Sequence, residues 1–339
     1  MSNEINVKSI LDLDKQIRDQ ETFIIKLKRT RNSSLNLSRI PAEILGEIFR
    51  WNTVSRGTFG ALEKRSHNFL LVCHHWFEVA SSTPELWSFW GNNLEDWKKH
   101  NLRYPTAPLD LVLDGGKLEE VTLDISLRNA LQDRASRDAI RCIHLSSTDS
   151  RLLGFIISQL CADCDGIRPS SVESFTAWDR NRYPSVDVSS YFARYYFPKM
   201  RRLELQNCKI TSWVLIASRT SLLTTLTLTI VPSSPALTAL QLISMLRSNS
   251  ALREVKLVGG ILSDDKGGEP HPRVPLPHLK KLEFCGYSRN VFWLLYHLDY
   301  PVTRVRLILD LLDCTVKDIS ETIGPYIRDY LRRRGGLVG

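Results

Sequence analysis

The sequence predicts an α/β chain in three parts: an N-terminal helix, a three-helix module, and a solenoid of parallel strands alternating with helices. Three observations predict it. Residues 5–31 carry apolar side chains at heptad steps. Residues 38–87 hold three short amphipathic stretches, and after Trp90 an apolar-x-x-apolar-x-apolar hexad keeps returning. The boundaries are 1–37 for the helix and its linker, 38–90 for the module and 91–339 for the repeats. A chain of 339 residues is also too long for one ordinary core.

In the first part, Ile10, Leu13, Ile17, Gln20, Ile24 and Leu27 follow one another at alternating steps of three and four, which is a heptad seam. Gln20 is the polar interruption, and a polar seam residue selects register or partner at some cost in stability. A seam of three heptads is marginal alone in water. Two outcomes stay open: the helix folds back on its own chain, or it pairs with another. The polar segment from Asn32 to Ser38 reads as a linker.

The module opens at Ile40-Pro41. Proline suits a helix start, where its missing N–H costs nothing, and Glu43 in the first turn favours the positive end of the helix dipole. Ile44, Leu45, Ile48 and Phe49 then make one wide apolar face. Phe69, Leu70, Val72, Cys73, Trp76, Phe77 and Ala80 repeat the pattern on a second helix. Thr83-Pro84 reads as a cap and first-position proline, opening a third helical turn at Glu85-Leu86-Trp87. So small a bundle carries more apolar surface than it can bury in itself. A partner or the next domain should meet the surplus.

These residues resemble the F-box: an Ile-Pro-x-Glu-Ile-Leu-x-x-Ile-Phe opening, then Val72-Cys73-x-x-Trp76, then Leu86-Trp87, in order. The segment from Asn52 to Asn68 is longer than in compact members and implies a loop insertion. The resemblance implies docking onto the adaptor subunit of a cullin–RING ubiquitin ligase. The apolar docking surface would come from Ile40, Pro41, Ile44, Leu45, Ile48, Phe49, Val72 and Leu86, while Trp76 and Trp87 hold the helices together.

The hexad is clearest at Met200–Leu205, Leu223–Leu228, Leu252–Leu257, Leu279–Phe284 and Val302–Leu307, with weaker copies at Pro108–Leu113, Ile140–Leu145 and Val172–Ala177. Steps between fourth positions are 32, 32, 28, 23, 29, 27 and 23 residues, in or just above the range of roughly 20–29 for leucine-rich repeats. Leu152–Leu160, Leu237–Leu246 and Val291–Leu298 read as intervening helices. The pattern resembles the irregular leucine-rich repeats that follow the F-box in many fungal proteins. The asparagine ladder of that family is mostly absent, with Cys208 at one of its positions. Val231–Pro235 and Ser263–Pro277 read as loops, the second long enough to suggest function or disorder.

Within each strand the leucines should point inward and the residues between them line the concave sheet. That assigns Arg202, Glu204, Gln206, Thr225, Thr227, Glu254, Lys256, Lys281, Glu283, Arg304 and Arg306 to one surface. Of these, Arg202, Glu204, Glu254, Lys256, Lys281, Glu283, Arg304 and Arg306 are the candidate substrate contacts. Both signs mix there, which suits a polar protein or peptide.

Composition narrows the classes. With 45 basic and 37 acidic residues the net charge is +8, and the signs are interspersed rather than gathered as nucleic-acid binders gather them. The clusters Lys26–Arg31 and Arg332–Arg334 read as solvated helix ends. Seven scattered cysteines suggest reduced thiols. The charged start does not read as a signal peptide, and no apolar run approaches the roughly 18–20 residues of a membrane span. Cytosol or nucleus is the expected compartment.

The enzyme-like motifs lack context. Cys161-Ala162-Asp163-Cys164 has no second pair, and His74-His75 are adjacent on a helix and cannot chelate together. Asp114-Gly115-Gly116-Lys117 lacks the spaced glycines of a P-loop. The expectation is no enzyme, no catalytic residue, no metal and no cofactor. The chain reads instead as a substrate-recognition subunit of an F-box ligase. A scaffold using the same parts outside any ligase is the alternative.

Overall fold

The computed structural model describes residues 2–35, 39–53, 68–87, 89–90, 108–114, 137–147, 149–161, 167–181, 187–230, 237–259, 261–262, 273–301, 304–312 and 324. The chain divides into two compact units, Met1–Ser88 and Phe89–Gly339. The insertion between the first two module helices, Cys164, Gly115–Lys117, Val231–Pro235, most of the Ser263–Pro277 segment and Arg332–Arg334 lie outside the described residues.

The first unit begins with α1, Ser2–Ser33. Its seam is open among the described residues: Ile10, Leu13, Ile17, Ile24 and Leu27 are each about half exposed. Next come α2, Ala42–Thr53, a 3-10 turn at Asn68–Leu71, α3 at His74–Ser82, and a second 3-10 turn at Pro84–Leu86.

The expected second helix is thus broken. Cys73 is fully extended (φ −162°, ψ 169°) and separates the turn carrying Phe69 from α3. Thr83 precedes Pro84 as expected, but its hydroxyl makes no cap. It donates instead to the Val79 carbonyl at 2.7 Å, which fastens the chain to the end of α3. Leu45, Phe49, Phe69, Val79, Ala80 and Leu86 form the closed core of the module. Phe49 stacks on Phe69 at 4.6 Å and meets the edge of Trp76 at 5.2 Å. The Trp87 indole N–H donates to the Ala80 carbonyl at 2.8 Å. Gly46 lets the last turn approach: a Cβ there would sit 3.3 Å from Thr83 Oγ1.

The second unit is built on one nine-stranded sheet whose strands run in sequence order, each parallel to the next. They are β1 (Phe89–Trp90), β2 (Leu109–Asp114), β3 (Ile140–Ser147), β4 (Ser174–Asp179), β5 (Arg202–Gln206), β6 (Thr225–Ile230), β7 (Glu254–Gly259), β8 (Lys281–Gly286) and β9 (Arg306–Leu311). Between them stand α4 (Ser150–Leu160), α5 (Ser189–Arg194), α6 (Trp213–Arg219), α7 (Ala239–Ser248) and α8 (Ser288–Tyr296). Parallel neighbours need such crossovers, because a hairpin cannot connect them. Three of the helices overlap sequence expectations, although Leu237 and Leu298, expected at helix ends, lie in two-residue strands. The short α5 and α6 carry too few residues to show a period.

Leucine alternation fixes the register. Leu203, Leu226, Val255 and Leu282 align across β5–β8, as do Leu205, Leu228, Leu257 and Phe284, and all are buried. They join the helix side chains Ile216, Leu242, Leu246 and Leu294 in one continuous core. The last hexad is shifted from expectation. Leu282 pairs with Leu307, not Val305, so the unit runs from Arg304 to Leu309. An alternation of period two permits a shift of two without changing which face is apolar. Val305, Leu307 and Leu309 all fit the pattern, and only the pairing decides. Arg304 consequently precedes β9 and leaves the sheet surface.

Two polar side chains tie successive units together. Cys208, after β5, is buried, and its thiol donates to the Ala177 carbonyl of the preceding unit at 3.5 Å. Burial pushes that thiol up to about 12. Asn249 closes α7 with no exposed surface. Its carbonyl accepts from Leu223 N at 3.0 Å, and its amide donates to Met245 O at 2.8 Å and to Thr220 O at 3.2 Å. At the end of β7, Gly259 has φ 102° and a Cβ there would collide with the Ile230 carbonyl, so only glycine fits.

Replacing Asn249 by alanine strips buried backbone groups of their partners, each worth about 1–3 kcal/mol when left unmade. We expect Asn249→Ala to lower unfolding stability by about 3 kcal/mol in urea titration, against under about 0.5 kcal/mol for Arg247→Ala on the same helix.

Candidate interaction surfaces

The module divides its apolar residues between two destinations. Leu45 and Phe49 turn inward, while Ile44, Ile48 and Trp51 share the adjoining stripe of α2 and stand exposed. Leu71, Val72 and Phe77 are exposed as well, Leu71 most of all at 85%. Leu45, Phe49 and Leu86, expected on the docking surface, are instead inside the module's own core at 0–1% exposure. A helix with apolar residues at adjacent positions must present some of them to each side. Ile40 is half-buried against the core and Pro41 is exposed. The surface available to a partner therefore comprises Pro41, Ile44, Ile48 and Val72, with Trp51, Leu71 and Phe77 added. The run Leu70-Leu71-Val72 held the missing signal: no helical period can bury three consecutive apolar residues on one face.

The polar face of the sheet is the second surface. The register sets Arg202, Thr225, Glu254, Lys281 and Arg306 in one cross-strand row, and Glu204, Thr227, Lys256, Glu283 and Ile308 in the next. Seven of the eight charged candidates thus share this face, and Arg304 does not. On β2–β4 the same face is mixed, with Val112, Ser146 and Thr176 buried and Asp110, Cys142, His144, Ser174 and Trp178 partly exposed. The seven charged candidates lie on β5–β9.

Its charges are organised around carboxylates. Glu283 accepts from Lys256 at 2.5 Å and Lys281 at 2.9 Å, and these hydrogen bonds hold its carboxyl below the usual range. Glu204 lies 3.6 Å from Arg202. Burial raises its carboxyl, Arg202 opposes that, and the neighbouring Glu254 adds to it. Further along the same face, the Cys285 thiol donates to Asp310 Oδ2 at 3.4 Å, and the Arg180 guanidinium lies 4.6 Å above the Trp178 ring. The arrangement offers fixed charges of both signs to hydrogen-bonding partners.

Among the described residues no group of three metal-ligating side chains converges, and no helix is long and apolar enough to cross a membrane. His74 lies 3.1 Å from Glu78, one turn along α3, while His75 Nε2 is enclosed without a partner. No protein-family model matches the chain, and no curated protein sequence matches it.

Two outcomes follow. Leu45→Ala should cost the module about 2–5 kcal/mol through lost burial and a cavity, whereas Ile44→Ala should cost under about 0.5 kcal/mol; amide hydrogen exchange of α2 and α3 reads the difference. Glu283 has a depressed folded-state carboxyl, so its stabilisation is present above the ordinary carboxylate range and lost as pH falls through the folded value. The stability deficit of Glu283→Gln should accordingly be visible at pH 7 and shrink toward zero under acid, in paired urea titrations.

Proposed function

We propose that this chain is the substrate-recognition subunit of a cullin–RING ubiquitin ligase of the F-box type. The observation that carries the reading is the split of apolar residues in the module. Its core is closed by Leu45, Phe49, Phe69, Val79 and Leu86, yet Ile44, Ile48, Trp51, Leu71 and Val72 remain outside. Exposed apolar groups of this number on a folded module mark an interaction site. With the Ile40–Phe49, Val72–Trp76 and Leu86-Trp87 resemblance, the partner is the ligase's adaptor subunit and, through it, cullin.

On this reading the polar face of β5–β9 receives the substrate, a protein or peptide carrying both charges. The strands hold Arg202, Glu204, Glu254, Lys256, Lys281, Glu283 and Arg306 on a rigid ladder, so little side-chain ordering opposes binding. Ubiquitin transfer is performed by the partner enzymes and this chain contributes no catalytic residue, metal or cofactor. Cytosol or nucleus is the compartment in which such a ligase works.

Two sets of substitutions separate the two surfaces. Ile44→Glu with Ile48→Glu places unpaired charge in an apolar interface and should weaken adaptor capture by about thirtyfold or more, the equivalent of ~2 kcal/mol. Lys256→Gln, Lys281→Gln and Arg306→Gln together should leave adaptor capture intact and remove the co-purified substrates. Wild-type protein that captures neither adaptor nor cullin in a pull-down overturns the ligase reading and leaves the scaffold.

A further inference from the structure

The helix α1 ends in a use that neither surface above supplies. We infer that α1 pairs with α1 of a second copy of this chain as a parallel, in-register two-stranded coiled coil. The alternating steps allow one heptad assignment: Ile10, Ile17 and Ile24 at the first core position, Leu13, Gln20 and Leu27 at the second. Isoleucine at the first and leucine at the second is the combination that favours two parallel strands. The helix runs unbroken through all of these positions, and the apolar seam is open, between 47% exposed at Ile24 and 56% at Ile17.

Orientation follows from the residues on and beside the seam. In a parallel, in-register pair each core residue faces its own copy, so the two Gln20 amides meet and can satisfy one another. In the antiparallel pair that overlaps the whole seam, first positions face second ones, and Gln20 is set against Ile17 with its amide unanswered. Burying an amide without a partner is costly. The flanking positions agree. Parallel packing sets Gln16 beside Glu21 and Phe23 beside Lys28 of the other copy, with no like charges opposed. Antiparallel packing opposes Asp14 and Glu21, both acidic.

Pairing would give each particle two module faces and two sheet faces. A substrate with two recognition segments would then be held at a raised effective concentration. The inference does not depend on the ligase reading, since it concerns a helix outside the module.

The test uses the full chain. Sedimentation equilibrium at micromolar concentration should give twice the chain mass of 38.8 kDa, and Ile17→Lys should return it to the single mass without changing the unfolding of the sheet unit. Gln20→Cys should cross-link to itself on mild oxidation, well beyond the wild-type background from native cysteines. A wild-type monomer, or a dimer that Ile17→Lys leaves intact, overturns the pairing. A dimer in which Gln20→Cys cross-links only to an Ile17→Cys copy overturns the parallel arrangement.

Discussion

The second unit depends on one constraint: a leucine in its sheet is buried only against the neighbouring strands and the helices that connect them. Each hexad supplies two inward residues, and no single unit has enough neighbours to cover them. Parallel stacking in register solves this for Leu203, Leu226, Val255 and Leu282 at once. The same solution forces every intervening residue onto the opposite face. The charged ladder is therefore a by-product of burial geometry, and its order along the sheet is set by the order of the repeats in the chain. The buried ties at Cys208 and Asn249 act on the same problem, satisfying backbone groups where one unit ends and the next begins.

In the module, burial is divided rather than stacked. Adjacent apolar pairs on α2, Ile44-Leu45 and Ile48-Phe49, put one member inside and one outside. The inner members meet Phe69 and Leu86 and complete a core of their own. The outer members add nothing to it. A helix serving only its own fold would carry polar residues there, since exposed isoleucine gains nothing in water. The proposed adaptor surface is thus the remainder left when the module's own stability has been accounted for.

Much of this was legible in the sequence because it depends on periodicity. The heptad of α1, the hexads and the helices containing Leu153, Leu242 and Leu294 all announce themselves by spacing. What was not legible depends on position in space. Spacing showed that Ile44, Leu45, Ile48 and Phe49 form an apolar face but not which part of it turns inward, and the residues placed at the docking surface included three core members. The final repeat shows the same limit, since Val305, Leu307 and Leu309 satisfy the alternation equally and Arg304 was placed two residues out of phase. The helices Ser189–Arg194 and Trp213–Arg219 are too short for a period to appear, and the Cys73 break carries no proline or glycine to mark it.

The central claim is that the outward apolar residues of the module bind a partner while the sheet unit keeps its polar face free. Hydrogen exchange of the full chain, with and without the adaptor subunit, tests it most directly. The account predicts slowed exchange over residues 42–53 and 68–77 on adding adaptor, with amides of β5–β9 unchanged. Unaltered exchange in the module at saturating adaptor, or protection confined to the sheet, would contradict it.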